Sequence, residues 1–470
     1  MHLAEYRTFD ALGLADLVAR SQVTAHELLD AAMEAVADRN PVVNAVVNLF
    51  DDQARKAIEA GLPEGPFRGV PFAIKDLWTN VAGITTSNSS RLFVSVPSVD
   101  SEIVARYRRA GLVLFAKTNT PELGLSPTTE PAMFGPTSNP WDPAFSAGGS
   151  SGGAAAAVAS GILPMSHATD GGGSIRIPAS CCGVFGLKPT RARISLAPDR
   201  GEGWGGMSTQ HVVSRSVRDS AAALDACAGA VPGDPYWAPP PAGPYVAEVG
   251  RDPGSLRVGL VVEAPNGVSA SGPCREAVEQ TARRLDSLGH RVDPVSWPFD
   301  RDLMARAQAS IIGPSVAAAV AARLNQLGRD LQPDDLEEVS ARVAEAGRSA
   351  SAVDYINSAS AMHQIGRTMA TVFERIDVLL TPTLPDPPLK LGILVGSDVK
   401  RFAELTPRVT AFTTLANITG IPAMSVPLDS TPDGLPMGTQ FMARFGDEAT
   451  LLRLAAQLEA AHPWFARISV

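Results

Sequence analysis

The 470-residue chain is predicted to be an α/β protein on three observations. Short apolar runs that end on a charge, Val70-Pro71-Phe72-Ala73-Ile74-Lys75-Asp76 and Leu112-Val113-Leu114-Phe115-Ala116-Lys117, have the pattern of buried strands whose tips reach a surface. Helical patterns separate such runs, and the alternation continues to the C-terminal end. With 45% hydrophobic residues, the chain can bury a large core.

In chain order, Thr24-Ala25-His26-Glu27 has capping-box spacing ahead of Leu28, Leu29, Ala32, Met33 and Val36, so a helix is expected to start there and stop before Asn40-Pro41. Residues 101–110, between the two apolar runs, read as a helix. The alanine-rich stretch 154–159 reads as a tightly packed helix with Gly152 and Gly153 at its start. A proline-rich loop over 232–253 precedes a strand at Val258-Gly259-Leu260-Val261-Val262. Residues 274–375 are mainly helical by pattern, Asp377-Val378-Leu379-Leu380-Thr381-Pro382 is a strand, and a helix over 450–461 closes the chain.

Charge narrows the function classes. With 40 Lys plus Arg against 49 Asp plus Glu, the formal charge of −9 repels nucleic acid and anionic membrane. The start, Met1-His2-Leu3-Ala4-Glu5-Tyr6-Arg7, lacks the basic and apolar regions of a signal peptide, and no run of about 18 apolar residues follows. A soluble, cytoplasmic protein with no nucleic-acid or membrane partner is expected. Cys181, Cys182, Cys227 and Cys274 have no metal or redox spacing and are expected to be buried thiols.

Two glycine-wrapped serines 24 positions apart carry the chemistry: Gly148-Gly149-Ser150-Ser151-Gly152-Gly153 and Asp170-Gly171-Gly172-Gly173-Ser174-Ile175-Arg176-Ile177-Pro178. Glycines let a carbonyl approach backbone N–H groups that a side chain would screen, so each segment can hold a nucleophile or an oxyanion. The first also satisfies G-x-S-x-G, but that elbow needs a downstream acid and histidine. Of His167, His211, His290, His363 and His462, only His462 has a distinctive setting, in Ala461-His462-Pro463-Trp464. Neither segment has the residues of a phosphate loop. Ser397-Asp398-Val399-Lys400 fits S-x-x-K without that motif's companions. A lysine is the remaining base, if burial lowers its pKa from about 10.4 to roughly 7–8. Lys75, ending an apolar run, is the best candidate, although a solvated lysine at a strand tip is the commoner case. The residues by themselves leave both readings open.

Lys75-Asp76, the two glycine segments and Gly186-Leu187-Lys188-Pro189-Thr190 resemble the amidase signature family. Lys117-Thr118-Asn119-Thr120-Pro121-Glu122, Arg215-Ser216-Val217-Arg218-Asp219, Asp377 to Thr383 and Asn417-Ile418-Thr419-Gly420-Ile421-Pro422-Ala423 resemble further family segments in the same order. The resemblance implies a central mixed twisted β-sheet covered by helices on both faces. It implies one domain over 1–470, with a catalytic core at about 65–225 and a variable, mainly helical region at about 265–375. The implied chemistry is a Ser–cis-Ser–Lys triad, with Ser174 as nucleophile, Ser150 after a cis Gly149–Ser150 bond as relay, and Lys75 as neutral base. No metal or organic cofactor is implied.

The N–H groups of Gly171, Gly172 and Gly173 are the implied oxyanion hole. Gly171, where many members carry a larger apolar residue, is expected to keep the donor and widen the pocket. Gly124, Leu125, Ser126 and Gly149 are expected to approach substrate, as are the Trp78 and Trp204-Gly205-Gly206 loops. Ser151 is expected to satisfy loop N–H groups near the helix start. Asp170 and Arg176 are expected to pair and brace the loop. Ile177 stands where the tRNA-dependent amidotransferase branch commonly has glutamine, which argues for a stand-alone hydrolase. Residues 199–206, 211–215 and 233–236 look most similar to bacterial hydrolases of linear and cyclic aliphatic amides, aryl acylamides and carbamates. The expected partner is a small-molecule amide or carbamate, and the expected state a monomer or homodimer. An amidotransferase A-type subunit or a non-catalytic assembly subunit are the competing readings.

Overall fold

The computed structural model describes residues 1–467, and among them eleven strands form two hydrogen-bonded sheets. The smaller holds β1 (Val46–Leu49), β2 (Pro71–Lys75) and β3 (Val113–Thr118) in the order β1-β3-β2, with β2 and β3 parallel and β1 antiparallel to β3. The larger holds β4 (Met165–Asp170), β5 (Phe185–Lys188), β6 (Thr209–Ser214), β7 (Arg257–Leu260), β8 (Arg291–Pro294), β9 (Val378–Pro382), β10 (Ala423–Ser430) and β11 (Pro436–Ala443). Its order is β4-β6-β5-β10-β11-β9-β7-β8. Only the β9-β7-β8 end is parallel, so this sheet is mixed.

Both faces of the larger sheet are covered. Along β9, Val378 and Leu380 enter one apolar cluster and Leu379 another, and β11 likewise sends Phe441 and Ala443 one way and Met442 the other. That alternation is the period of two that a strand imposes. Helices Val217–Cys227 and Glu448–Ala461 contribute Leu224, Leu451 and Leu454 to the first cluster; Ala352–Val372 contributes Met362, Ile365 and Met369 to the second.

The two sheets meet where β2 lies beside β4, and side chains of β4 replace a backbone ladder there. Ser166 Oγ donates to the Ala73 carbonyl at 3.2 Å, and the Lys75 N–H donates to His167 Nδ1 at 3.3 Å. The tip of β2 is thereby held against the tip of β4. Behind it runs the helix Gly152–Ala159, whose residues are all buried; a Cβ on Gly153 would lie 2.4 Å from the Asn119 nitrogen, so only glycine lets this helix approach the end of β3.

One sequence expectation changes, and one feature is new. The capping box at Thr24 and Glu27 forms, but the helix Ala25–Val43 runs through Pro41 instead of stopping before Asn40. Asn40 Oδ1 accepts from the Ala45 and Val46 N–H groups, and Asn44 at φ 46° closes the last turn, so the side-chain bonds offset the one that proline removes. Residues 301–327 form a helical stretch holding an 18-residue window of mean hydropathy 1.2, long and apolar enough by composition to cross a membrane, which the sequence reading did not register. Here it bends at Ser310 into Arg301–Ala309 and Ile312–Leu327, and Leu303, Met304, Val316 and Val320 pack inward. The second of these helices meets Glu338–Ser349 backbone to backbone, since a Cβ on Gly347 would stand 2.0 Å from the Gly313 carbonyl oxygen. Ile312 of the one and Val343 of the other line a cavity together with Gly172 and Ser174.

Candidate active site

Lys75 is fully buried at the tip of β2. Its Nζ lies 2.7 Å from Ser150 Oγ, 2.9 Å from Ser151 Oγ and 2.9 Å from Thr169 Oγ1. Burial drives its pKa well below the ordinary lysine value, with the Asp170 carboxylate opposing. The sequence alternative of a solvated strand-end lysine is thus replaced by a desolvated amine. Ser151 Oγ donates to the Thr169 carbonyl at 3.2 Å, so toward Lys75 it can only accept. A neutral amine has two hydrogens and one lone pair, which matches three hydroxyl partners if Ser150 donates. His167 of β4, fully buried where it accepts from the Lys75 backbone N–H, is held neutral by burial, with a pKa of about 3. Among the described residues no histidine hydrogen-bonds Ser150 or Ser174, which removes the support for a histidine-based elbow.

The Gly149–Ser150 peptide is cis, as the resemblance implied. Ser151 behaves differently from expectation: it makes no cap on the helix that follows and ties Thr169 of β4 to Lys75.

The second serine sits on a loop braced from below. The Asp170 carboxylate accepts from the N–H groups of Gly173 and Ile175 at 2.8 and 3.1 Å and from Arg176 Nε and Nη2 at 3.0 and 2.9 Å. Burial alone would raise the Asp170 pKa; Arg176 holds it at about 2. Arg176 also donates to the Thr413 carbonyl, Gln440 Oε1 and Asn417 Oδ1, so the expected brace is present and neither member of the pair faces substrate. The same network corrects the assignment of Gly173 as an oxyanion donor, because its N–H is taken by Asp170. Its φ of +135° and the 2.3 Å that would separate a Cβ from Thr413 Oγ1 explain why glycine is needed there. The N–H groups of Gly171, Gly172 and Ser174 are not drawn into this bracing.

Ser174 is half-buried and opens onto two cavities. One, of about 190 Å³, is walled by Leu125, Pro127, Ile177, Met207, Ile312 and Val343. The other is a neck of about 30 Å³ that Ser150, Thr169 and Gly171 also line. The structure therefore brings Lys75, Ser150 and Ser174 to one place. Gly124, Leu125 and Ser126 line the cavities as expected, as do Trp78 and Trp204. Gly149 does not: a Cβ there would lie 2.5 Å from the Thr128 carbonyl oxygen, so its part is close backbone packing. Gly206 is also turned away, against Arg191 and Tyr236.

Gly171 does not widen the pocket. A Cβ at this position would stand 2.7 Å from the Trp204 ring and 3.0 Å from Ser208 Oγ, so the indole occupies the space that a side chain would take. Gly171→Ala is expected to push Trp204 outward, raising KM and lowering stability by about 1–3 kcal/mol, as overpacking does; urea unfolding and steady-state kinetics check this.

Sequence reasoning missed Thr169, Arg200 and Gln210, which line the neck. It also missed that Trp78, Leu123 and Trp204 take positive φ values of 49°, 53° and 51°. Such conformations concentrate at functional sites, and no local pattern announces them in residues of this size.

Residues 27–452 match the Amidase family. The 6-aminohexanoate-cyclic-dimer hydrolase of Paenarthrobacter ureafaciens is 38% identical over 480 aligned positions, covering 97% of this chain and 96% of that one. A solved structure of 6-aminohexanoate cyclic dimer hydrolase superposes with a TM-score of 0.92 at 35% identity, covering 98% of both chains. A bacterial aryl acylamidase structure superposes with a TM-score of 0.88 at 28% identity, over 97% of this chain and 96% of the other. Fold and likeness together make this protein an amide hydrolase. The chain belongs to the amidase signature family.

Proposed function

We propose that the protein hydrolyses the C–N bond of small amides, cyclic amides and carbamates through an acyl-enzyme on Ser174, and that it acts without a partner subunit. The observation that carries this is the buried Lys75 amine hydrogen-bonded to Ser150, in the cavity that Ser174 shares. Ser174 Oγ attacks the carbonyl carbon as its proton passes to Ser150, whose own proton passes to Lys75 Nζ. The oxyanion rests on the Gly171, Gly172 and Ser174 N–H groups. On collapse the C–N bond breaks, and the leaving nitrogen takes a proton from Ser150, which regains one from Lys75. Water then enters, and the same relay removes its proton and returns one to Ser174. Ile177 supports a stand-alone hydrolase with an apolar acyl site, since it lies in the wall of the larger chamber. The likeness to hydrolases acting on a cyclic dimer and on aryl acylamides supports the substrate class.

The pH profile tests this reading. The active form carries neutral Lys75, and its folded-state pKa lies well below 10.5. Accordingly kcat/KM on a small amide should climb as pH rises through that value and stay level toward pH 10.5. Linkage gives the matching sign for stability: between the folded and unfolded pKa values the unfolded state binds the extra proton, so raising pH through that window favours the folded state. Lys75→Met should remove both the activity and this slope. An activity that is flat from acid to alkaline pH, or that survives in Lys75→Met, contradicts a lysine base.

A further inference from the structure

The neck at Ser150 does not end at the reacting serines. Trp78, Leu123, Arg200 and Trp204 line it and also line an outer vestibule of about 600 Å³. Ser150 faces this neck and not the apolar chamber of Ile177 and Val343. In the proposed reaction the leaving nitrogen takes its proton from Ser150, so the amine half of the substrate must lie on the neck side and the acyl half in the apolar chamber. That chamber, at about 190 Å³, slightly exceeds the roughly 150 Å³ cavity that accommodates benzene.

Among the described residues, four charged ones line the vestibule: Asp199, Arg200, Glu202 and Arg323. Three have partners. Asp199 accepts from Asn80 Nδ2 and Ser101 Oγ, Glu202 accepts from the Tyr236 hydroxyl, and Arg323 donates to the carbonyls of Leu92 and Val94. Arg200 differs. Its guanidinium lies 5.7 Å from the Trp78 ring centroid and makes no side-chain hydrogen bond or ion pair among the described residues. Trp78 is itself held, because its backbone N–H donates to Asn88 Oδ1 at 2.7 Å and its ring packs edge-on against Phe93 with centroids 5.2 Å apart. A half-buried guanidinium with five N–H donors, seated on a fixed indole at the passage between vestibule and serines, is a preformed recognition group.

We infer that Arg200 sets specificity by hydrogen-bonding a carboxylate or carbonyl oxygen on the amine half of the substrate, which leaves through the vestibule. This inference rests on the Ser174 acyl-enzyme reading. An amide carbonyl and a carboxylate offer the same acceptor chemistry, and the test separates them.

The test uses butanoyl amides of three amines of matched shape over a series of linker lengths: an ω-amino carboxylic acid, its primary amide, and the branched alkylamine that replaces the acceptor with methyl groups. In the wild type, at the best linker length, kcat/KM should favour an acceptor-bearing amide over the apolar one by about tenfold, as expected for a hydrogen bond to a charged group. In Arg200→Leu that ratio should fall to near one, and in Arg200→Lys to an intermediate value. A preference confined to the carboxylate identifies an anionic substrate, whereas an equal preference for the primary amide identifies a neutral carbonyl. If Arg200→Leu does not fold, Arg200→Met replaces it, and the ratio should fall to near one there as well. A wild-type ratio near one at every length, or a ratio that survives in Arg200→Leu or Arg200→Met, overturns the assignment while leaving the hydrolase reading intact. Failure of the wild type to cleave any of the three amides overturns both.

Discussion

Replacing Ser174 with alanine should lower kcat at least about ten-thousand-fold while leaving the fold and the binding of small amides in place. The side chain is half-buried at the meeting of two cavities and, among the described residues, makes no hydrogen bond that holds the loop, so alanine removes the attacking oxygen and little else. The loop is held instead by Asp170 through Gly173, Ile175 and Arg176. Because Ser174, Ser150 and Lys75 act as a unit in the proposed relay, Ser174→Ala combined with Lys75→Met should be little worse than either alone. The check is single-turnover kinetics beside thermal melting of each variant. An alanine variant that is equally folded and retains substantial turnover would place the nucleophile elsewhere.

Arg176→Met is the change with the largest expected effect on stability. The side chain is fully buried and binds Asp170, Asn417, Gln440 and the Thr413 carbonyl. Methionine fills much of the volume but strands a buried carboxylate, a situation that costs about 3–5 kcal/mol. Asp170 would then lose the partner that holds its pKa at about 2, and its bonds to the Gly173 and Ile175 N–H groups would weaken when it takes up a proton. Activity should therefore decline with stability in this variant, through a loosened loop under Ser174. Pairing it with Asp170→Asn, which removes the stranded charge, should recover part of the loss in denaturant unfolding; an equal or greater loss in the double variant would contradict the brace.

Much of the fold could be read from local pattern, and the limits have physical causes. β2 and β3 are legible as apolar runs, and β9 likewise, because buried strands in a covered sheet show little polarity. β4 is not, since Met165-Ser166-His167-Ala168-Thr169-Asp170 is largely polar yet almost wholly buried. Its polar groups face the junction with β2 and the reacting loops, where burial comes from tertiary packing. β10 carries Pro427 beside an irregular register, which likewise disguises a strand.

The site was legible in the same uneven way. Lys75 and the two serines stand out by their neighbours, but whether a strand-end lysine is solvated or desolvated depends on segments 75 and more positions away that close over it. The resemblance to a family decided between those readings; the pattern of residues did not. Thr169, the filling of the Gly171 gap by Trp204, and the capture of the Gly173 N–H by Asp170 depend on contacts that no spacing encodes.

The central claim is an acyl-enzyme on Ser174 relayed through Ser150 to Lys75, and rapid acid quench of the protein during turnover of a slow anilide tests it most directly. Peptide mapping by mass spectrometry should find the acyl group on the peptide containing Ser174, absent in Ser174→Ala and reduced in Lys75→Met. An acyl group on Ser150, or undiminished hydrolysis with no acylated peptide in the wild type, would contradict it.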